Sequence, residues 1–468
     1  MSSTTLPLSL PSLGTKGVLL DFEGGDLSSD AGFLPLALAD QKLGLTAALA
    51  AAMEDLRDPD KVQREVLSLL RERIYLIAAG YEDAVDAQRL RHDPLLKAAL
   101  NKPPDGAPLA GQSTLSRFEN SPTQEDLARL GQVLLEVFLQ RCGPAPRRIV
   151  LDFDPFVDPC HGAQQGVLFN GYYDTHCYLP LYLCGHIDGS REYVIGALLR
   201  RGNAPATQGA RFLLKQIVRA LRQRFPRVQI ILRADSAFGI ARMLRTCRHL
   251  KIDYCLGLAK NARLLALSER TMLRAALAQT VRTRHQGPRA EPCRVYTSFA
   301  YRAKTWKQSE QVICKAEVTQ GALNPRWVVC SLGTTGGWSE RAIYRFYCGR
   351  GNPENRIKEF PERVRGLSDK IDLAADRLSC EFRRANQFRL ILHTAAYHLF
   401  QTLQDTLAQV APDSEWVRAQ VSTIRTKLCK IAARVLVRAR HVRVQLPTSC
   451  PWQLLWRRLL QALQPTVG

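Results

Sequence analysis

The stretch Arg148-Ile149-Val150-Leu151-Asp152-Phe153-Asp154 reads as one β-strand. Alternation puts Ile149, Leu151 and Phe153 on one face and Val150, Asp152 and Asp154 on the other. Two carboxylates at the end of an otherwise apolar strand are costly to hold near a core without compensation. A divalent cation or a basic partner would supply it. The competing reading ends the strand at Leu151 and gives both aspartates to a solvated turn running into Pro155. The residues further along favour the first reading.

After a turn-rich connection, residues 178–184 and 193–199 read as two more strands, with His186-Ile187-Asp188-Gly189 as the hairpin turn. Residues 209–225 are predicted helical, and Pro226 closes that helix. Residues 228–235 form a buried strand ending in a carboxylate, Asp235, followed by a helix over 240–250 and a short strand over 254–258. The order strand, strand, strand, helix, strand, helix, strand is that of a ribonuclease-H-like α/β core. Its first and fourth strands are neighbours, so Asp154 and Asp235 would meet.

Residues 262–345 interrupt the pattern with strand-like segments at 294–305, 311–319 and 326–332, a mostly β insertion. From Tyr344 the chain reads as helix again. Tyr347, Arg350, Glu354 and Lys358, at spacings of three, four and four, lie along one face until Pro361 stops it. Residues 371–403 are predicted helical. The tail is basic, with Arg418, Arg425, Lys427 and Lys430 on a helical stretch and Arg434, Arg438, Arg440 and Arg443 on a strand-like one.

Upstream, residues 19–145 read as helical, including 60–79 and 123–142. Between them, in Gln112-Ser113-Thr114-Leu115-Ser116-Arg117-Phe118-Glu119-Asn120, Ser113 and Ser116 are candidate N-caps. Ser116 and Glu119 have capping-box spacing, and Arg117 falls in the first turn. A short helix that opens with hydroxyls and an arginine suits a DNA groove; a capped surface helix without a ligand is the plainer alternative. The expected division is a helical N-terminal region for DNA binding (1–146), the first part of the core (147–261), the insertion (262–345), the last part of the core (346–405) and a basic C-terminal region (406–468).

Lys and Arg number 65 against 43 Asp and Glu in 468 residues, a formal charge of +22 and a pI near 9.7. So large a surplus at ordinary hydrophobicity, 46%, points to a polyanion, foremost nucleic acid. No membrane partner is expected, because no run of eighteen apolar residues occurs: 34–53 is broken by Asp40 and Lys42. No basic region precedes an apolar block near Met1, which argues against a secretory signal. The 13 cysteines include no Cys-x-x-Cys pair, which argues against zinc ribbons and disulfide frameworks and fits a reducing cytoplasm.

Asp154, Asp235 and Glu354 together suit two-metal phosphoryl chemistry, in which two Mg²⁺ ions ~4 Å apart activate the attacking oxygen and stabilise the leaving one. Carboxylates suit Mg²⁺, a hard ion that keeps positions for water and phosphate. Asp154, nearer the strand end, is the preferred first ligand, with Asp152 as the alternative. Tyr347, Arg350 and Lys358 would hold the flanking phosphates.

The chain resembles bacterial insertion-sequence transposases of the DDE class, domain group 1 type, with a Tyr-x2-Arg-x3-Glu signature and a β insertion before the glutamate. The residues that carry the likeness are 151–154, 161–162, 168–174, Leu232-Arg233-Ala234-Asp235-Ser236, 347–358, 385–390 and 114–120. The resemblance implies cut-and-paste transposition: recognition of terminal inverted repeats in double-stranded DNA, Mg²⁺-dependent cleavage with Mn²⁺ able to substitute, and strand transfer into target DNA by a homodimer at the bacterial nucleoid. It makes Asp154, Asp235 and Glu354 the catalytic, metal-binding triad and Tyr347 and Arg350 phosphate contacts, with Ser116 and Arg117 in the end-binding region. Where the wider signature has a lysine seven residues after the glutamate, this chain has Pro361; Lys358 stands one turn after Glu354. Two alternatives remain, a catalytically silent transposase-derived DNA-binding protein and a host nuclease or junction resolvase on the same core.

Overall fold

The computed structural model describes residues 7–13, 16–189, 191–287, 290–319, 322–333, 337–350 and 375–464. The chain divides into two units, one of residues 1–122, 368–377 and 395–468, the other of residues 123–367 and 378–394.

The first unit begins with strands, where the sequence reading had helix from residue 19. Leu8–Leu13 and Lys16–Leu20 pair as an antiparallel hairpin. Leu27–Ser28 joins Ala433–Val437 and Val442–Gln445 in a three-stranded sheet. Helices α1 (Phe33–Leu43), α2 (Leu45–Ala52), α3 (Val66–Ala79), α4 (Ala84–Leu90), α5 (Pro94–Ala99) and α6 (Gln112–Asn120) follow. Glu72 on α3 is buried, and its Oε2 accepts a hydrogen bond from the Ala110 amide at 3.1 Å, just ahead of α6. Burial pushes its carboxyl up to about 7, against the pull of the Ala110 amide and of Arg64, Arg91 and Arg73. The folded value lies above the unfolded one, so the stability this group contributes is complete below about pH 4.5 and is lost as pH rises through about 7. Glu72→Gln is therefore expected to raise the urea midpoint at about pH 8 and to leave it nearly unchanged at about pH 4.5.

The second unit opens on α7 (Gln124–Arg141), which groups with the core rather than with the N-terminal region. Its capping box is complete: Thr123 Oγ1 accepts from the Asp126 amide at 3.1 Å, and Asp126 Oδ2 accepts from the Thr123 amide at 2.8 Å. Thr123→Ala is expected to cost about 1 kcal/mol in a denaturant titration.

The unit is built on an eight-stranded mixed sheet. In chain order its strands are β1 (Arg148–Pro155), β2 (Leu181–Ile187), β3 (Glu192–Leu198), β4 (Gln229–Ala234), β5 (Asp253–Leu258), β6 (Val295–Tyr301), β7 (Glu310–Ala316) and β8 (Arg326–Cys330); in space they run β6-β7-β8-β5-β4-β1-β2-β3. β1, β4 and β5 are parallel, and the other neighbours antiparallel. The β2–β3 turn has positive φ at Asp188 (47°) and Gly189 (85°), left-handed backbone that glycine and aspartate adopt more readily than other residues. Ile149, Leu151 and Phe153 sit in a core shared with α7, α8 (Ala210–Arg224) and α9 (Ala241–His249). Val150 lies in a second core on the opposite face, under α12 (Glu340–Cys348).

The expected insertion differs from its reading in two ways. Residues 262–286 are helical, as α10 (Ala262–Leu267) and α11 (Glu269–Gln286). Its strands β6, β7 and β8 continue the core sheet through the β8–β5 pair. The late helix ends at Cys348, leaving Gly349 and Arg350 in a turn, so Arg350 is not on a helix continuous with Tyr347. The helix expected from 371 begins at Arg383, as α13 (Arg383–Val410). There Asn386 closes the preceding loop by bonding both the amide (2.9 Å) and the carbonyl (2.8 Å) of Cys380.

Candidate functional site

Parallel pairing of β1 with β4 sets Asp152 opposite Arg233 and Phe153 opposite Ala234. Asp154 and Asp235 therefore leave neighbouring strands at the same level and on the same face, where strands run ~4.8 Å apart. Asp235 remains extended (φ −71°, ψ −173°) and accepts from the Ala237 amide at 2.8 Å, starting a short 3-10 turn, Ser236–Phe238. Both aspartates are partly exposed.

Asp152 has a different environment. It is buried, and Arg233 clasps it with two hydrogen bonds, Nε to Oδ1 at 2.6 Å and Nη2 to Oδ2 at 2.7 Å. Burial pushes its carboxyl up, opposed by that guanidinium. Burial pulls Arg233 down, but its bonds to Asp152 together with the charges of Asp152 and Glu192 hold the guanidinium above its ordinary range. The third arm of Arg233, Nη1, donates to the Phe346 carbonyl at 2.7 Å. One buried arginine thus ties the end of α12 to β1 and β4.

That tether places Tyr347 and Arg350. Arg350 Nη1 lies 3.2 Å from Asp154 Oδ1, and its guanidinium carbon is 6.0 Å from the Tyr347 ring centre. Tyr347 Oη fills the space beside Gly257, 2.6 Å from where a Cβ would stand, so only glycine fits at that point of β5. Burial pushes the Tyr347 hydroxyl up; Arg350 opposes this and Asp235 adds to it. Tyr173, 39% exposed, feels both aspartates: burial first, then Tyr172, Asp235 and Asp154 raise its hydroxyl. Asn170 sets its loop, with Oδ1 accepting from the amides of Tyr172 (3.0 Å) and Tyr173 (3.3 Å).

Asp154, Asp235, Tyr347 and Arg350 therefore come together, while Glu354 and Lys358 lie outside the described residues. Among the described residues no group of three His, Cys, Asp or Glu could hold a metal ion. Asp154 and Asp235 supply two hard oxygen donors of the kind Mg²⁺ prefers. The Arg350–Asp154 contact is only part-buried, so water or a ligand can compete for it.

A family model described as "Transposase DDE domain group 1" matches residues 10–467. The chain belongs to the DDE transposases. No curated protein matches it. Transposases of this class work with divalent metals, which accords with the oxygen-donor chemistry of the two aspartates.

In the transposase's first unit, α6 carries Ser116 and Arg117, both exposed, as is Ser113, with Leu115, Phe118 and Glu119 buried beneath. The helix starts at Gln112, earlier than read, and no side chain caps it. The expected Ser116–Glu119 box is absent because Glu119 is taken by Arg73 in a buried ion pair. Arg117 consequently lies in the last turn, its Nε donating to the Ser113 carbonyl at 3.2 Å. In the same unit Arg434, Arg438, Arg440 and Arg443 are exposed on or between two antiparallel strands.

Two contributors to the candidate site escaped the sequence reading, Arg233 and Tyr173. Both fall inside segments that carry the family likeness; the cue for Arg233 was a cation on the same face as Asp152 once the two strands are paired. Trp306 and Trp327 are buried, Trp327 with its Nε1 on Ser268 Oγ at 2.7 Å, so both pack in the core. Among the described residues no helix is long and apolar enough to cross a membrane.

Proposed function

We propose that this chain catalyses cut-and-paste transposition: cleavage at terminal inverted repeats, then transfer of the freed ends into target DNA. The observation that carries the reading is the exit of Asp154 and Asp235 from neighbouring parallel strands at one level, with Arg350 against Asp154. The sheet order β3-β2-β1-β4-β5 supports a ribonuclease-H-like core, with the antiparallel strands of the insertion added beyond β5.

In this reading Asp154, Asp235 and Glu354 hold Mg²⁺, or Mn²⁺ in its place. Bound there, the ions supply an activated hydroxyl nucleophile and charge stabilisation at the leaving oxygen. Arg350 and Tyr347 hold the phosphates beside the scissile one, Arg350 exchanging its contact with Asp154 for the paired oxygens of a phosphate. Tyr173 forms the far wall. Asp152 serves by holding Arg233 rather than a metal. Lys358 adds a further cation to the phosphate grip. α6 presents Ser116 and Arg117 to the inverted repeat, and two copies of the chain join two ends in one complex.

The test is nicking and joining of duplexes taken from the DNA that flanks the reading frame. Cleavage at the inverted repeats in Mg²⁺ or Mn²⁺, abolished by chelation and restored by added metal, is expected. End binding without cleavage in either metal would identify a catalytically silent DNA-binding protein instead.

A further inference from the structure

A cavity of about 600 Å³ opens between α11, β6, β7 and α12 in the second unit. Five basic side chains line it against two carboxylates. Glu317 is shared by two of the cations, Lys315 and Arg294. The other three, Arg282, Arg341 and Arg345, have no acidic partner among the described residues, and Arg282 donates only to the Glu291 carbonyl, at 3.3 Å. A net positive recess with unpaired arginines calls for an anion.

The aromatic residues narrow its chemistry. Tyr344 is buried in the wall, with Lys315 Nζ 5.5 Å above its ring and Tyr296 and Tyr347 packed at 5.8 and 6.0 Å. Its faces are taken, so the cavity cannot stack a base on Tyr344. What it offers is guanidinium groups in an opening far larger than one phosphate needs, which suits a run of backbone phosphates.

Its place in the fold says which backbone. Tyr344 and Tyr347 are one turn apart on α12, so the cavity lies on the same sheet face as Asp154 and Asp235. From β4 to β7 is three strand steps of ~4.8 Å, roughly 15 Å in all. For a duplex whose axis runs across the strands, that distance spans about four steps of axial rise at ~3.4 Å each.

We propose that this cavity grips the phosphodiester backbone of the bound DNA about four nucleotides from the scissile phosphate. The assignment rests on the transposase reading above and adds a second, non-catalytic contact to it. Arg341 and Arg345 are the principal ligands, since both are exposed at its rim.

The test uses the full chain and a duplex carrying the element's own end. Arg341→Gln/Arg345→Gln is compared with Lys215→Gln/Arg219→Gln, which removes equal charge from exposed positions of α8 on the opposite sheet face. The slope of log Kd against log salt is expected to fall by about two for the cavity pair and to stay unchanged for the α8 pair. A neutral methylphosphonate about four nucleotides from the cut should weaken the unmutated protein and not the cavity variant. An unchanged slope for the cavity pair, or an equal fall for the α8 pair, overturns the proposal while cleavage by the unmutated protein keeps the transposase reading intact. If the unmutated protein neither binds nor cuts the duplex, the transposase reading fails first and this one with it.

Discussion

Asp235→Asn is expected to lower the cleavage rate by about a thousandfold or more, because in the proposed site several kcal/mol of metal-borne charge stabilisation would go with the carboxylate. Asparagine is the informative replacement. Its amide oxygen can still accept from the Ala237 amide that Asp235 caps, so the turn into Ser236–Phe238 survives and thermal stability should barely change. Asp154→Asn is expected to do the same to the rate. Asp152→Asn should act differently, losing stability first, since it weakens the grip on a buried guanidinium. Cleavage by Asp235→Asn at the unmutated rate would sink the assignment of this carboxylate.

The second large effect belongs to Arg233. Arg233→Met leaves Asp152 buried and unpaired and strips the Phe346 carbonyl of its donor. A loss of about 3–5 kcal/mol in unfolding free energy is expected. The double variant Arg233→Met/Asp152→Leu should recover most of that, because apolar residues of similar volume replace buried ion pairs at little or no cost. Its activity should not recover: α12 is no longer tied to β4, and Tyr347 and Arg350 lose their placement. Stability without activity marks Arg233 as a positioning residue. Recovery of both would reduce it to a structural pair.

The parts of this site that could be read in the sequence were those set by local periodicity. Alternation in 148–154 and the apolar run of 228–234 made β1 and β4 legible, and strand order then made Asp154 and Asp235 neighbours. What stayed hidden was decided by partners distant in sequence. Glu119 has capping-box spacing from Ser116, yet a buried arginine 46 residues away claims it. Tyr173 comes within electrostatic reach of the aspartates, on a loop that Asn170 folds and anchors by donating to the Gly202 carbonyl at 2.7 Å. The helix α11 was missed for another reason. Leu273, Leu277 and Val281, the residues that would mark a buried helical face, point to solvent, and the β-branched Thr271, Thr280, Val281 and Thr283 imitate a strand.

The seam between β5 and β8 governs how this protein can be trimmed or recombined. Excising 262–345 to obtain a minimal catalytic fragment would strip β5 of the neighbour at Cys255 to Leu258 and bare a flat, apolar edge. Such an edge recruits other chains, so the fragment would precipitate rather than report on chemistry. Length changes belong instead at Lys307-Gln308-Ser309, the exposed part of the link between β6 and β7 beyond the buried Trp306, where neither ladder is cut.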